Sequence, residues 1–205
     1  MKRVSSKVAV AFFTMIALFS GVSHATVITD DLSVLGYQTT PGQISWNFWA
    51  PSGTANLSFE LAGYRSLDGY DNKYTDIFHL WLNGTEIFTG SFNMGGGGKN
   101  TVLFNPNGGT ATTTTYGATD NIHDSRQVTW MGGLTQIWLP LNLLAGANEL
   151  IFSYTGWGQP VNDEYWGVNA ISVTTPTQVT ETSSLLLLAT GLVGLFTLRR
   201  KGFSG

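Results

Sequence analysis

Oxygen-bearing side chains crowd the stretch from Asp68 to Asp76, where Asp68, Asp71, Asn72 and Asp76 share a short loop-like segment with Gly69, Tyr70 and Tyr74. Calcium takes about six to eight hard oxygen ligands, and a turn with closely spaced Asp and Asn can converge several of them. These four residues are therefore candidate calcium ligands. Their spacing is not that of an EF-hand loop, and the same residue types also make ordinary solvated turns. Further along, Asp163 and Glu164 stand just before Trp166. Adjacent carboxylates in an extended chain point to opposite faces. That makes them a poor acid/base pair for glycoside hydrolysis, which needs two groups facing one bond. One of them can instead complete a metal site; the alternative is that Trp166 packs in the core and both acids stay at the start of the strand.

Trp157 lies between Gly156 and Gly158. A large ring held in a turn can stack on a sugar, with nearby polar side chains orienting the hydroxyls. Tyr70 and Tyr74 become flankers if the two loops lie at one end of the domain; otherwise Trp157 is a lid over that end. His79 and His123 occur in unrelated contexts, and neither a His-Glu-x-x-His nor a Gly-x-Ser-x-Gly pattern is present. No catalytic residue is expected.

The elements that must position these groups read as strands. Apolar residues alternate in Ala55–Leu61, with Leu57, Phe59 and Leu61 on one face, and in Asp76–Leu82, with Phe78, Leu80 and Leu82 on one face. Asn83 and Gly84 follow, a type I′ hairpin signal because both central positions need positive φ. Further strands are predicted at Gln43–Phe48, Thr101–Phe104, Gln136–Leu139, Asn148–Tyr154 and Trp166–Val173. Met94–Asn100 reads as a flexible glycine run and Gly108–Gly117 as a polar loop. Many short strands joined by Gly/Asn turns predict an all-β antiparallel sandwich over residues 26–176.

The two ends read as targeting segments. Lys2, Arg3 and Lys7 precede an apolar run from Val8 to Phe19, and small residues at Ser23 and Ala25 offer cleavage after Ala25, so residues 1–25 are expected to be a signal peptide. Residues 183–198 are apolar, and Arg199, Arg200 and Lys201 follow directly. As a helix that run reaches about 24 Å, against a hydrocarbon core of ~30 Å. It can span by thinning the bilayer or by snorkelling of the basic residues, with the tail 199–205 in the cytoplasm.

Residues 177–182 link the domain to this helix, and the sequence from Val179 to Leu185, the Leu-rich run with Gly191 and Gly194, and the basic tail together resemble a PEP-CTERM sorting signal. In that family a Pro-Glu-Pro motif precedes a short membrane helix and a basic tail. Here Thr180 and Thr182 stand where the family has prolines, and Glu181 is kept. The resemblance implies export by a Gram-negative bacterium that makes exopolysaccharide, processing by an exosortase-like membrane protease, and either retention at the cell surface or release. The middle carries a second resemblance. The segment Leu80–Ile87, a strand, a tight turn and a strand, and the segment Ile137–Phe152, a strand, a Leu-rich connection, Gly-x-Asn and a strand, together resemble the paired motifs of galactose-binding-like jelly rolls. That likeness implies a jelly-roll β-sandwich of the kind common among carbohydrate-binding modules.

Charge limits the partners. Outside the two ends only Arg65, Lys73, Lys99 and Arg126 are basic, while all thirteen acids lie between Asp30 and Glu181. So negative a surface repels phosphate backbones, and no nucleic-acid partner is expected. Acidic oxygens outside the cell suit calcium. The chain has no cysteine, so no disulfide supports the fold. These features predict a non-catalytic surface or matrix protein associated with exopolysaccharide. A dedicated carbohydrate-binding module is the alternative, and a secreted carbohydrate-active enzyme is a more distant one.

Overall fold

The computed structural model describes residues 25–30, 38–115, 132–157 and 163–176. Residues 1–24 of the expected signal peptide, the sorting motif at Thr180, Glu181 and Thr182, the apolar run and the basic residues Arg199, Arg200 and Lys201 lie outside the described residues, as does His123. Among the described residues every regular element is a strand: β1 (Val27–Asp30), β2 (Gln38–Thr39), β3 (Gly42–Ala50), β4 (Gly53–Gly63), β5 (Ile77–Leu82), β6 (Thr85–Ser91), β7 (Thr101–Phe104), β8 (Thr110–Thr115), β9 (Gly133–Leu143), β10 (Gly146–Thr155) and β11 (Tyr165–Thr174).

These strands form two antiparallel sheets. The first runs β1-β11-β4-β9-β8, with β2 also paired to β11; the second runs β3-β10-β5-β6-β7. Alternation decides which side chains meet between them. Leu57, Phe59 and Leu61 of β4 are buried, as are Phe78, Leu80 and Leu82 of β5. Phe59 reaches across to Phe152 of β10, edge to face at 5.1 Å, and to Phe78 at 6.0 Å. Burying one such side chain contributes about 1.5–3 kcal/mol, and without disulfides this shared core is what holds the sheets together. The β-sandwich is thus built as the period of two predicts. Asn83 and Gly84 both have positive φ, 51° and 77°, and close the β5–β6 hairpin.

Three segments differ from the sequence expectation. The threonine-rich stretch is not a loop: Thr110–Thr115 is an edge strand paired to β9. Threonine is β-branched and fits a pleated, half-solvated surface, and Thr113 bonds Thr135 at 3.0 Å on the inner side. The strand expected at Gln136–Leu139 extends through Pro140 to Leu143, so the Leu-rich stretch is strand rather than connection. Pro140 keeps its carbonyl in use, accepting from the Asn107 amide at 3.1 Å. The glycine run is tied down. Met94 is fully buried, and the Met94 and Gly96 amides both donate to the Leu67 carbonyl.

Candidate metal centre and its aromatic rim

β4 and β11 are antiparallel neighbours, so the chain leaving β4 meets the chain arriving at β11. Tyr64 donates its amide to Tyr165 at 3.0 Å, and Ser66 donates its amide to the Asp163 carbonyl at 3.2 Å and its hydroxyl to the Asp163 carboxylate at 2.9 Å. This zipper brings Asp68, from the β4–β5 connection, beside Glu164. The connection then doubles back. The Asp68 amide donates to the Asp76 carboxylate at 2.8 Å, and the Asp76 amide returns a bond to the Asp68 carbonyl at 3.0 Å.

Asp68, Asp76 and Glu164 are consequently all buried, each with a carboxylate oxygen within 4.8 Å of the others'. Sequence reasoning singled out Asp68, Asn72 and Asp76, and the structure gathers them. The Asn72 amide bonds the Asp68 carboxylate and also donates to the Gly96 carbonyl at 3.0 Å. Asp71 stands apart: its carboxylate pairs with Lys99 at 2.6 Å, largely in solvent. The third carboxylate of the buried cluster is instead that of Glu164, the member of the Asp163–Glu164 pair whose side chain turns inward while Asp163 stays exposed.

The electrostatics are those of three acids forced together out of water. Burial is the first cause in each case. It raises Asp68 to about 6, Asp76 to about 7 and Glu164 to about 8. The mutual repulsion of the carboxylates, with Asp163 behind them, adds to the shifts of Asp76 and Glu164. The Asp68 and Glu164 carboxyl groups lie within hydrogen-bonding reach of each other. Two ionised carboxylates do not settle in that arrangement: either a proton is shared or a cation lies between them.

A cation fits what is left open. Asp76 Oδ1 and Glu164 Oε2 are buried and accept no hydrogen bond, and the nearby Tyr154 hydroxyl is buried without a partner as well. Oxygens bound to one calcium at about 2.3–2.6 Å lie no more than about 5 Å apart, a separation the three carboxylates satisfy. Asp68, Asp76 and Glu164 would hold the ion, with Asn72 beside them. Its charge would replace the protons that the cluster otherwise needs. Close packing walls the site. A side chain at Gly96 would come within 2.6 Å of the Asp68 carboxylate, and one at Gly156 would collide with Asp76 Oδ1. The glycines near this centre are thus required by close approach.

Gly156 also links the centre to the surface. The next residue, Trp157, is 69% exposed and meets Tyr74 edge to face at 6.5 Å. Tyr74 and Tyr70 are exposed too, at 37% and 44%. Lys73 sits over the Tyr74 ring at 4.9 Å, and Tyr70 is anchored by a reciprocal pair of backbone bonds with Lys99. Trp157 and Tyr74 therefore share one end of the sandwich, beside the carboxylates. Trp166, by contrast, is fully buried and donates its indole N–H to the Thr39 carbonyl at 3.2 Å. His79 lies on the outer face of the second sheet, bonded to Glu86 and Thr155, away from this centre.

No protein-family model and no curated protein matches the chain. Among solved structures it is similar to dimeric latent PorU from Porphyromonas gingivalis, at 14% identity and a TM-score of 0.42 over 77% of this chain and 13% of that one. It is also similar to VP2 of the infectious bursal disease virus subviral particle, at 16% identity and a TM-score of 0.33 over 74% of this chain and 32% of that one. The chain spans only a minor part of each of these proteins.

Proposed function

We propose that this is a non-catalytic, exported surface or matrix protein. In this reading a jelly-roll-like sandwich, stabilised by calcium at the Asp68–Asp76–Glu164 centre, associates with exopolysaccharide through the rim formed by Trp157, Tyr74 and Tyr70. The observation that carries the reading is the exposed Trp157–Tyr74 pair, held by Gly156 directly against a calcium-competent carboxylate cluster. The rings offer apolar area to a sugar face, and the ordered loop beneath them fixes their placement. The jelly-roll assignment draws support from the path of the chain, which crosses between the sheets at β2–β3, β3–β4, β4–β5, β7–β8, β9–β10 and β10–β11.

A non-catalytic role draws support from burial. The clustered carboxylates face one another, yet Asp68, Asp76 and Glu164 are only 5%, 1% and 2% exposed. A glycosidic bond cannot reach between them, as hydrolysis by a carboxylate pair requires. Export, the membrane helix at 183–198 and exosortase-like processing at Thr180–Thr182 belong to the same reading through the PEP-CTERM resemblance. The tail would keep the rim at the cell surface, or release it after processing.

Affinity electrophoresis of the purified protein through neutral and uronate-bearing exopolysaccharides, with calcium and with chelator, tests the function. Retardation by at least one polysaccharide that Trp157→Ala abolishes is the expected result. Unretarded migration through all of them, or retardation indifferent to Trp157→Ala, would remove the rim from the function. A dedicated binding module would be retarded by one glycan alone.

A further inference from the structure

A second surface carries the chemistry of a sugar site. The outer face of the first sheet is concave where β4, β9 and β8 lie side by side, and the depression encloses about 360 Å³. That volume lies at the small end of the ~300–1,000 Å³ typical of ligand clefts, enough for one or two sugar rings. Register places the lining. Trp138 of β9 stands between Ser58 of β4 and Thr110 of β8, and Gln136 stands between Glu60 and Thr112. All six side chains point away from the core, since Leu57, Phe59, Ile137 and Leu139 occupy the alternate, buried positions. Trp138 is 42% exposed in a strand whose neighbours on that face are hydroxyls, an amide and a carboxylate. Gln136 donates to Glu60 at 3.4 Å, which leaves most of the donor and acceptor capacity of that pair open.

An independent backbone feature marks the same place. The β4–β11 ladder breaks between Asn169 and Ser172, beside Glu60 and Ser58, and Ala170 in the break has φ of 48° and lines the depression. A non-glycine residue in the left-handed region is strained, and bulges re-aim side chains at the margins of binding sites. Here the bulge turns a methyl group, rather than a longer side chain, toward the cleft.

We infer that this depression is a saccharide subsite for a neutral pyranose, with Trp138 as the stacking platform and Glu60, Gln136, Ser58, Thr110 and Thr112 as hydroxyl partners. An apolar ring bordered by acceptors and donors matches a pyranose, which has one C–H face and a rim of hydroxyls. Among the described residues lining the cleft Glu60 is the only charged one, and a carboxylate there repels uronates. The inference goes beyond the reading of the Trp157 rim and does not depend on it, because the two sites use different elements.

The experiment uses the full chain with fluorine-labelled tryptophan, the resonances of Trp138 and Trp157 being assigned by Trp138→Phe and Trp157→Phe. It is titrated to tens of millimolar with methyl glycosides of neutral hexoses and with a methyl glucuronide. A saturable shift of the Trp138 resonance with a neutral glycoside, weakened at least fivefold by Glu60→Ala without a change in melting temperature, is the expected result. A Trp138 resonance that does not move overturns the inference, and a Trp157 resonance that moves alone does so while leaving the rim reading intact. Equal response to the glucuronide overturns the assignment to neutral sugars.

Discussion

The end of the sandwich that carries the carboxylates places the same residue types at two depths. Asp76 and Trp166 lie inside; Asp71 and Trp157 lie on the rim. Inside, burial pushes the Asp76 carboxyl up to about 7, and Trp166 is sealed with its one donor bonded. On the rim, the Lys99 ammonium holds the Asp71 carboxyl below its usual value, and Trp157 presents most of its ring to water. Depth, not residue type, decides whether each group stores structural free energy or is available to a partner.

The largest effect separates the two tryptophans. Trp166→Ala should lower stability by about 3–5 kcal/mol, the usual cost of deleting a buried aromatic. Trp157→Ala should stay within about 0.5 kcal/mol, as for surface changes in general. Denaturant midpoints of the two variants check this. A large loss on Trp157→Ala would move that ring from the rim into the core and take the glycan contact with it.

The next effect is that of calcium. An ion bound only by the folded form stabilises by about 2.7 kcal/mol at a hundredfold excess over Kd, so chelation should lower the melting temperature. Asp76→Ala and Glu164→Gln should each abolish that response. A melt that is identical with chelator and with millimolar calcium would leave the three acids to be held by protons alone.

The pH profile of the chelated protein then sharpens the contrast. Asp68, Asp76 and Glu164 all have folded-state values above their ordinary ones, about 6, 7 and 8 against 3.8, 3.8 and 4.5. Between about pH 4 and pH 8 the folded state therefore binds more protons than the unfolded state. Stability from this cluster is fully present below pH 4 and is lost as pH rises through the folded values. Thermal melts in chelator should decline steadily over that window, whereas saturating calcium should offset the decline by supplying the missing positive charge. A chelated protein whose stability rises from pH 5 to pH 8 would contradict the buried placement of the three acids.

Much of this arrangement is legible in sequence, and the gaps have physical causes. Alternation in Ala55–Leu61 and Asp76–Leu82 reports a half-buried strand directly, and Asn83–Gly84 reports its own turn. Thr110–Thr115 lacks the apolar half of that alternation, because as an edge strand it only half-buries Ala111, Thr113 and Thr115. Gly95–Gly98 shows the same composition whether glycine is there for freedom or for close approach, and only the neighbouring Asp68 and Leu67 decide between them. In the carboxylate centre, spacing identifies the loop but not which acids turn inward. Glu164 joins across the β4–β11 ladder, a pairing of distant segments that no local pattern records.

The smallest expected effect is the one that tests depth most directly. Asp71 shares the loop with Asp68 and Asp76 and, by residue type alone, is as good a calcium ligand as either. Its carboxylate is bound to Lys99 in solvent, and exposed ion pairs contribute little because water already screens both charges. Its backbone imposes a condition on the test, since Asp71 has φ of 66°. Alanine there would add left-handed strain, whereas asparagine, like aspartate, is among the non-glycine residues that adopt that region most readily. Asp71→Asn removes the charge and keeps the turn. Melting temperature and the calcium response should both match the unaltered protein, while Asp76→Asn in the same loop loses the response. If Asp71→Asn also lost it, Asp71 would have to leave Lys99 and turn inward when calcium binds. The ligand set would then be that of the loop Asp68–Asp76 rather than that of the buried cluster.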